Sequence, residues 1–298
     1  MTSRISRIVA RSYARGLALV ASAIAAVLLA VAPAATHAAG GGVKLDHFPT
    51  EKLTDQAALQ NGAKVFVNYC LGCHSANLMR YNRLVDIGLT EAQIRDNLMF
   101  TATKVGDPMR IAMAPSDAKE WFGALPPDLS VTARARASHD GSGPDWLYTY
   151  LRSYYRDATR ATGWNNAVFP NVGMPHVLYG MQGSRSVTIE EIKSDKADGF
   201  TRTVVSFDSQ GVRTEKTEPI KEGHPHEGTT VKLGPAVGGT MGQAQYDEQI
   251  ADLVAFLTYV ADPSAQTRTR LGVWVLLFLF CFTVLAWWLN REYWKDVK

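Results

Sequence analysis

Cys70-Leu71-Gly72-Cys73-His74 constrains this chain more than any other stretch of it. C-x-x-C-H is the attachment signature of a c-type haem. Two thiols three positions apart on a turn can each add to one vinyl group at the porphyrin edge. The histidine directly after the second thiol then falls under the iron as the proximal ligand. Three rival readings fit less well. A thioredoxin-like C-x-x-C needs a strand leading into a helix and leaves the histidine incidental. A zinc site needs further ligands at ligand spacing, and the nearest cluster is His224-Pro225-His226, which reads better as exposed polar histidines. A disulfide would close one tiny loop and add little stability.

The two ends place that pentapeptide outside the cytoplasm, where covalent haem attachment occurs. Arg4, Arg7, Arg11 and Arg15 open the chain, an apolar run follows from Gly16 to Ala32, and small residues surround Ala38. Basic start, apolar centre and small-residue cleavage site are the order of a secretory signal peptide, expected over residues 1–38 with the cut after Ala38. Near the other end, Leu271 to Leu289 carries no charge. At ~1.5 Å per residue it is a helix of roughly 28 Å, enough to cross a bilayer core. Trp287, Trp288, Tyr293 and Trp294 crowd one end of it, as an interfacial belt does. The expected organisation is therefore an exported domain over 39–267, a transmembrane helix over 268–290 and a cytoplasmic tail over 291–298.

Between the ends stand 22 basic against 26 acidic residues with histidines neutral, so the basic balance of the whole chain belongs to its termini. Nothing in that distribution suggests nucleic acid, and a mildly acidic exported domain suits a basic partner. Cys281 is the remaining cysteine and sits within the apolar span, so the exported domain has no disulfide framework.

Asp55 to Tyr69 reads as a helix running into the motif, with Leu59, Ala63, Phe66 and Val67 at spacings of three and four. Gln243 to Ala261 is a second, with Tyr246, Ile250, Leu253, Val254, Leu257 and Val260 on one stripe. Gly62 with Phe66, and Leu253 with Phe256, resemble the pair through which the first and last helices of common c-type cytochromes cross. For a sixth ligand the residues alone leave several candidates. Met79 is too near His74, and Met99, Met109 and Met113 precede a Pro-rich stretch. Met174 sits in Phe169-Pro-Asn-Val-Gly-Met-Pro-His176, a loop punctuated by proline and glycine, with Met181 and His176 as close rivals.

In sequence order, Cys70-Leu-Gly-Cys-His-Ser75, Gly123-Ala-Leu-Pro-Pro-Asp-Leu-Ser130, Arg134-Ala-Arg136, Phe169-Pro170, Met174-Pro175, the closing helix, Asp262-Pro263 and one C-terminal span resemble the cytochrome c1 family. These are the haem subunits of the bacterial cytochrome bc1 complex (ubiquinol–cytochrome c reductase). The Pro-Pro-Asp-Leu-Ser run is far more specific than C-x-x-C-H. The resemblance implies a mainly α fold, a cytochrome c-like helical haem domain with one C-terminal transmembrane helix, and the residue pattern of a stretch outside it adds a small β-hairpin excursion. It implies one covalent haem c at Cys70 and Cys73, with His74 and Met174 as axial ligands. Pro127 would receive the free ring N–H of His74, and Arg136 would stand near a haem propionate. Met113, in Ile111-Ala-Met-Ala-Pro115, also looks like a ligand sequence of some relatives, but it precedes the Pro-Pro-Asp-Leu-Ser run and is rejected on order.

The implied role is one-electron transfer within a quinol–cytochrome c reductase, with no acid, base or nucleophile supplied by this chain. The implied partners are a cytochrome b subunit, a Rieske iron–sulfur protein and cytochrome c, in a dimeric complex of the inner membrane with the haem on the periplasmic side. Competing readings are a haem subunit of another membrane oxidoreductase, a haem sensor with a displaceable sixth ligand, and a non-haem anchor. One stretch departs from the pattern. Residues 183–237 are polar, and within them Thr201–Phe207 and Gly211–Thr217 alternate around Asp208-Ser-Gln-Gly211, a β-hairpin signal without assigned chemistry.

Overall fold

The computed structural model describes residues 43–195, 199–220 and 226–296. The expected signal peptide lies outside them, as does His224. The helices in chain order are α1 (Gln56–Val65), α2 (Glu91–Asn97), α3 (Pro115–Phe122), α4 (Thr132–Ala135), α5 (Gly143–Arg152), α6 (Tyr179–Gln182), α7 (Gln243–Ala261) and α8 (Ala265–Tyr293). Strands β1 (Ala76–Arg80) and β2 (Pro108–Met109) form one antiparallel pair, and β3 (Tyr154–Arg156) and β4 (Trp164–Asn166) another. Strands β5 (Gly183–Asp195), β6 (Gly199–Phe207), β7 (Arg213–Ile220) and β8 (Gly228–Gly238) share a four-stranded antiparallel sheet.

Helix α1 starts where Asp55 turns its carboxylate back onto the amides of Ala57 and Ala58, at 2.9 and 3.3 Å, satisfying donors that a helix start leaves orphaned. It packs across α7 at a point where only glycine fits. A Cβ on Gly62 would lie 2.0 Å from the Asp252 carbonyl oxygen and 2.7 Å from Phe256 Cβ. The rings of Phe66 and Phe256 meet beside that crossing, 5.6 Å apart. The expected stripe on α7 is buried, and so are Ala251, Asp252, Ala255 and Phe256 between its members. The helix is enclosed because α1, α4 and α5 all pack on it. Asp252 is tolerated in that setting by the Asn61 amide at 2.8 Å and the Lys52 ammonium at 3.0 Å.

Helix α5 begins with a capping box: Ser142 Oγ accepts from the Asp145 amide, and Asp145 accepts from the Ser142 amide. The same carboxylate accepts from the Phe48 amide at 2.7 Å, which pins the segment before α1. Helix α5 is joined to α7 by Tyr246, whose hydroxyl donates to the Leu151 carbonyl at 2.9 Å.

Helix α8 follows α7 after Asp262-Pro263-Ser264. Its 29 residues correspond to about 43 Å at ~1.5 Å each. The mean hydropathy of its most apolar 18-residue window is 2.2, and none of that window is buried. It contains the span expected at 268–290 and continues beyond it at both ends; exposed Cys281 lies within it. Asp262 holds its root, paired with Arg268 at 2.6 Å and with Arg134 at 3.7 Å.

The polar stretch is larger than the small hairpin the sequence suggested. The hairpin exists as β6 and β7, with Phe207 opposite Arg213, but it is half of the sheet β7-β6-β5-β8. Val187 and Ile189 of β5, Val205 and Phe207 of β6, and Val231 and Leu233 of β8 cluster on one face. That face packs on Tyr155 of β3, whose ring is 5.4 Å from Phe207. The remainder of the sheet is mostly half-exposed or exposed. Charged residues such as Glu190, Glu191 and Lys232 occupy it, which masks the strand pattern of β5 and β8. His226 is exposed, and the described residues contain no metal-binding cluster of His, Cys, Asp or Glu.

Candidate haem-binding site

Helix α1 does not run regularly into the motif. At Phe66–Cys70 it widens into a π turn, in which the Leu71 amide donates to the Phe66 carbonyl at 2.9 Å. Such turns insert a residue into a helix and re-aim the side chains that come after it. The amides of Cys73 and His74 then both donate to the Cys70 carbonyl, at 3.1 and 2.9 Å, closing the pentapeptide into one turn. Cys70 and Cys73 are free thiols, the first buried and the second half-buried. Burial, together with the nearby Cys73, pushes the Cys70 thiol up to about 12.

His74 is buried, and its Nδ1–H donates to the Pro127 carbonyl at 2.7 Å. Since a carbonyl only accepts, the proton sits on Nδ1 and the lone pair on Nε2 is left for a ligand. Burial lowers the pKa of the ring against the opposing pull of Pro127 and of the Asp128 charge, so the imidazole is held neutral. The Pro-Pro-Asp-Leu-Ser run holds that carbonyl in place. Asp128 accepts from the amide and side chain of Asn77 at 2.9 and 2.7 Å, and from the Ser130 amide at 2.8 Å. Ser130 Oγ accepts from the Leu78 amide, and the Leu129 amide donates to Ser75 O. The loop is thus sewn onto β1, the strand that directly follows the motif. These hydrogen bonds outweigh the effect of burial on Asp128 and lower its pKa.

Met174 is half-buried against the main core. Its Sδ lies 3.6 Å from the Tyr150 hydroxyl, and its carbonyl 3.3 Å from the Tyr154 hydroxyl. Arg136 lays its guanidinium 4.4 Å over the Trp146 ring and 5.8 Å from that of Phe169, with no carboxylate partner among the described residues. Trp146 in turn stacks on Tyr150 at 4.8 Å, so Arg136, Trp146, Tyr150 and Met174 form one continuous row. The rival His176 is buried beside one of the same two tyrosines. Its ring stacks on Tyr154 at 4.8 Å and meets Trp164 at 5.0 Å. Burial pushes it down to about 4, and Nε2 has no hydrogen-bond partner among the described residues. Met79 and Met109 are fully buried core residues, whereas Met99, Met113 and Met181 are partly buried.

The donor set fits a haem: a neutral buried imidazole with one nitrogen free, two thiols ahead of it, a thioether in a separate loop, and an arginine with no acid partner among the described residues. The sequence model of the cytochrome c1 family matches residues 47–207 and 239–297. The chain belongs to the cytochrome c1 family. The cytochrome c1 of Allochromatium vinosum is 43% identical over 275 residues, 92% of this chain and 98% of that protein. A Nitrosomonas europaea protein named ammonia monooxygenase gamma subunit is 42% identical over 273 residues, 91% of this chain and 97% of that protein. The cytochrome b/c1 of Bradyrhizobium diazoefficiens is 23% identical over 267 residues, covering 81% of this chain but 34% of that longer protein. As a cytochrome c1, the chain is a haem-containing electron-transfer subunit of the bc1 complex, anchored by its apolar C-terminal helix. Its cofactor is one covalently bound haem c. The segment that the family match skips contains β7 and β8, the outer strands of the sheet.

The structure adds residues that no motif announced. Asn166 Oδ1 accepts from the amides of Val168 and Phe169 at 2.9 and 3.0 Å, while its Nδ2 donates to Tyr150 O at 2.8 Å. Asn165 Oδ1 accepts from the Asn171 amide at 2.8 Å. Asn171 itself is left-handed, with φ 63°, a conformation asparagine tolerates better than most residues. Arg160 grips it through side chain and carbonyl, at 3.0 and 3.1 Å. The loop leading to Met174 is therefore held from its first turn. Asn166→Ala strands several donors at a buried position, and is expected to lower stability by about 3 kcal/mol. Thermal unfolding followed by haem absorbance measures this, and an unchanged midpoint counts against the role.

Proposed function

We propose that Cys70 and Cys73 carry the haem through thioether bonds, that His74 Nε2 and Met174 Sδ are its axial ligands, and that the chain relays one electron from a Rieske iron–sulfur protein to cytochrome c. The observation that carries this reading is the 2.7 Å bond from His74 Nδ1 to Pro127 O, which leaves a neutral nitrogen donor beside the two thiols. Cys70 and Cys73 would hold the haem through their sulfurs, an attachment that calls for no oxidant. The bound haem supplies one-electron chemistry between ferric and ferrous iron.

The chain's own residues hold and tune that chemistry. Pro127 fixes the ring tautomer of His74 and its basicity. A methionine opposite a histidine raises the potential, as transfer to a cytochrome c acceptor requires. Arg136, stacked on Trp146 and with no acid partner among the described residues, would pair with a propionate. Helix α8 spans the inner membrane beside a cytochrome b subunit in a dimeric complex, with the haem domain periplasmic and the C-terminus cytoplasmic. No acid, base or nucleophile of this chain takes part.

The test uses membranes containing the assembled complex under anaerobic conditions. A quinol is expected to reduce this haem only when the Rieske protein is present, and oxidised cytochrome c to reoxidise it. The reduced spectrum is expected to be indifferent to carbon monoxide. A haem that takes up the gas, as a sensor would, or one that quinol does not reduce, overturns the relay.

A further inference from the structure

Met174 is approached at two atoms by two buried tyrosines. Tyr150 Oη is 3.6 Å from its sulfur, Tyr154 Oη is 3.3 Å from its carbonyl oxygen, and the two hydroxyls are 2.6 Å apart. Neither hydroxyl is placed by chance. Tyr150 stacks on Trp146 with 12° between the planes, and Tyr154 stands edge-on to Tyr150 at 5.4 Å while its ring covers His176. Packing on both rings fixes where the oxygens lie.

A thioether sulfur has two lone pairs and is a weak hydrogen-bond acceptor. With one pair directed to iron, the other remains for a hydroxyl. We infer that Tyr150 donates a hydrogen bond to the sulfur of Met174 and thereby sets how strongly that sulfur favours ferrous over ferric iron. The inference rests on Met174 being the axial ligand. The protons can be arranged consistently. Tyr154 gives its proton to Tyr150 across the 2.6 Å contact, and Tyr150 gives its own to the sulfur. Accepting one hydrogen bond makes a hydroxyl a better donor of the next. In the opposite arrangement Tyr154 serves the Met174 carbonyl, Tyr150 serves Tyr154, and the sulfur has no donor. A proton directed at the sulfur withdraws electron density from it. Ferric iron depends more on that density than ferrous iron does, so the bond raises the reduction potential. Tyr150 is a positioning residue: it acts on the haem only through Met174.

The experiment is a redox titration of this haem in the assembled complex, comparing wild type with Tyr150→Phe, Tyr154→Phe and Met174→Leu. Carbon monoxide binding and the methionine-to-ferric-iron charge-transfer band are read on the same samples. Tyr150→Phe keeps the ring and its stacking and removes one oxygen. At the ambient potential where wild type is half reduced, its ferric-to-ferrous ratio is expected to rise about two- to fivefold, the effect of one weak hydrogen bond. The charge-transfer band should shift and carbon monoxide should still be refused. Tyr154→Phe is expected to move the ratio in the same direction but less. If Tyr150→Phe matches wild type in ratio and band while Met174→Leu binds carbon monoxide, the inference is overturned and the ligand assignment stands. If Tyr154→Phe moves the ratio as far as Tyr150→Phe, the effect belongs to loop position and the sulfur bond is wrong. If Met174→Leu is itself indistinguishable from wild type, the ligand assignment fails and takes this inference with it.

Discussion

Met174→Leu is expected to open the sixth coordination position, let the reduced haem bind carbon monoxide, and lower the equilibrium preference for the ferrous state at least about a hundredfold. That is roughly 120 mV at about 59 mV per tenfold step for one electron. The substitution isolates ligation from packing, because leucine and methionine are similar in volume and such swaps cost little stability. Met174 is only half-buried, and the loop before it is fastened by Asn165, Asn166 and Arg160 independently of its side chain. The subunit should therefore assemble and keep its covalent haem while quinol-to-cytochrome c turnover falls. Potentiometric titration in membranes, with and without carbon monoxide, measures both effects. A mutant haem that stays low-spin at the wild-type potential would return His176 or Met181 to consideration.

Gly62→Ala is expected to act on stability with a comparably large effect. The added Cβ would lie 2.0 Å from a backbone oxygen and 2.7 Å from Phe256 Cβ on α7. Neither neighbour is the tip of a flexible side chain, so α1 and α7 would have to separate. Separation disturbs the Phe66–Phe256 contact and the π turn that carries Cys70. Overpacking a core commonly costs about 1–3 kcal/mol, and a backbone-to-backbone clash belongs at or above the top of that range. For a domain of this size about 3 kcal/mol corresponds to roughly 6–12 °C in Tm. Gly106→Ala is the control, since a Cβ there meets nothing within 4 Å. Thermal denaturation of the two variants side by side reads the difference; equal midpoints would show that α1 and α7 can part without cost.

The Pro-Pro-Asp-Leu-Ser run was recognisable in the sequence, and the resemblance implied that Pro127 meets His74, but nothing local showed what holds the loop there. Asp128 and Ser130 bind the backbone of β1, more than fifty positions earlier, and that attachment places the Pro127 carbonyl on His74. The sheet illustrates the opposite case. Strands β6 and β7 have the alternation and short turn that mark a hairpin locally. Strands β5 and β8 carry charged residues on their exposed parts, and they pair across a gap in sequence that no local pattern reveals.

By itself the sequence determined the features that are contiguous or periodic. These are a C-x-x-C-H pentapeptide, an apolar helix long enough to cross a membrane, two amphipathic helices and the family's ordered motifs. Each is legible because its chemistry depends on residues close together along the chain or on a helical repeat. Tertiary structure decided what meets across loops. It set Gly62 against the backbone of α7, brought Asn166 to the loop before Met174, and turned the hydroxyl of Tyr150 toward the sulfur of Met174. Those contacts depend on crossing distances and ring stacking between distant elements, and a tyrosine or asparagine at such a position looks in the sequence like any other.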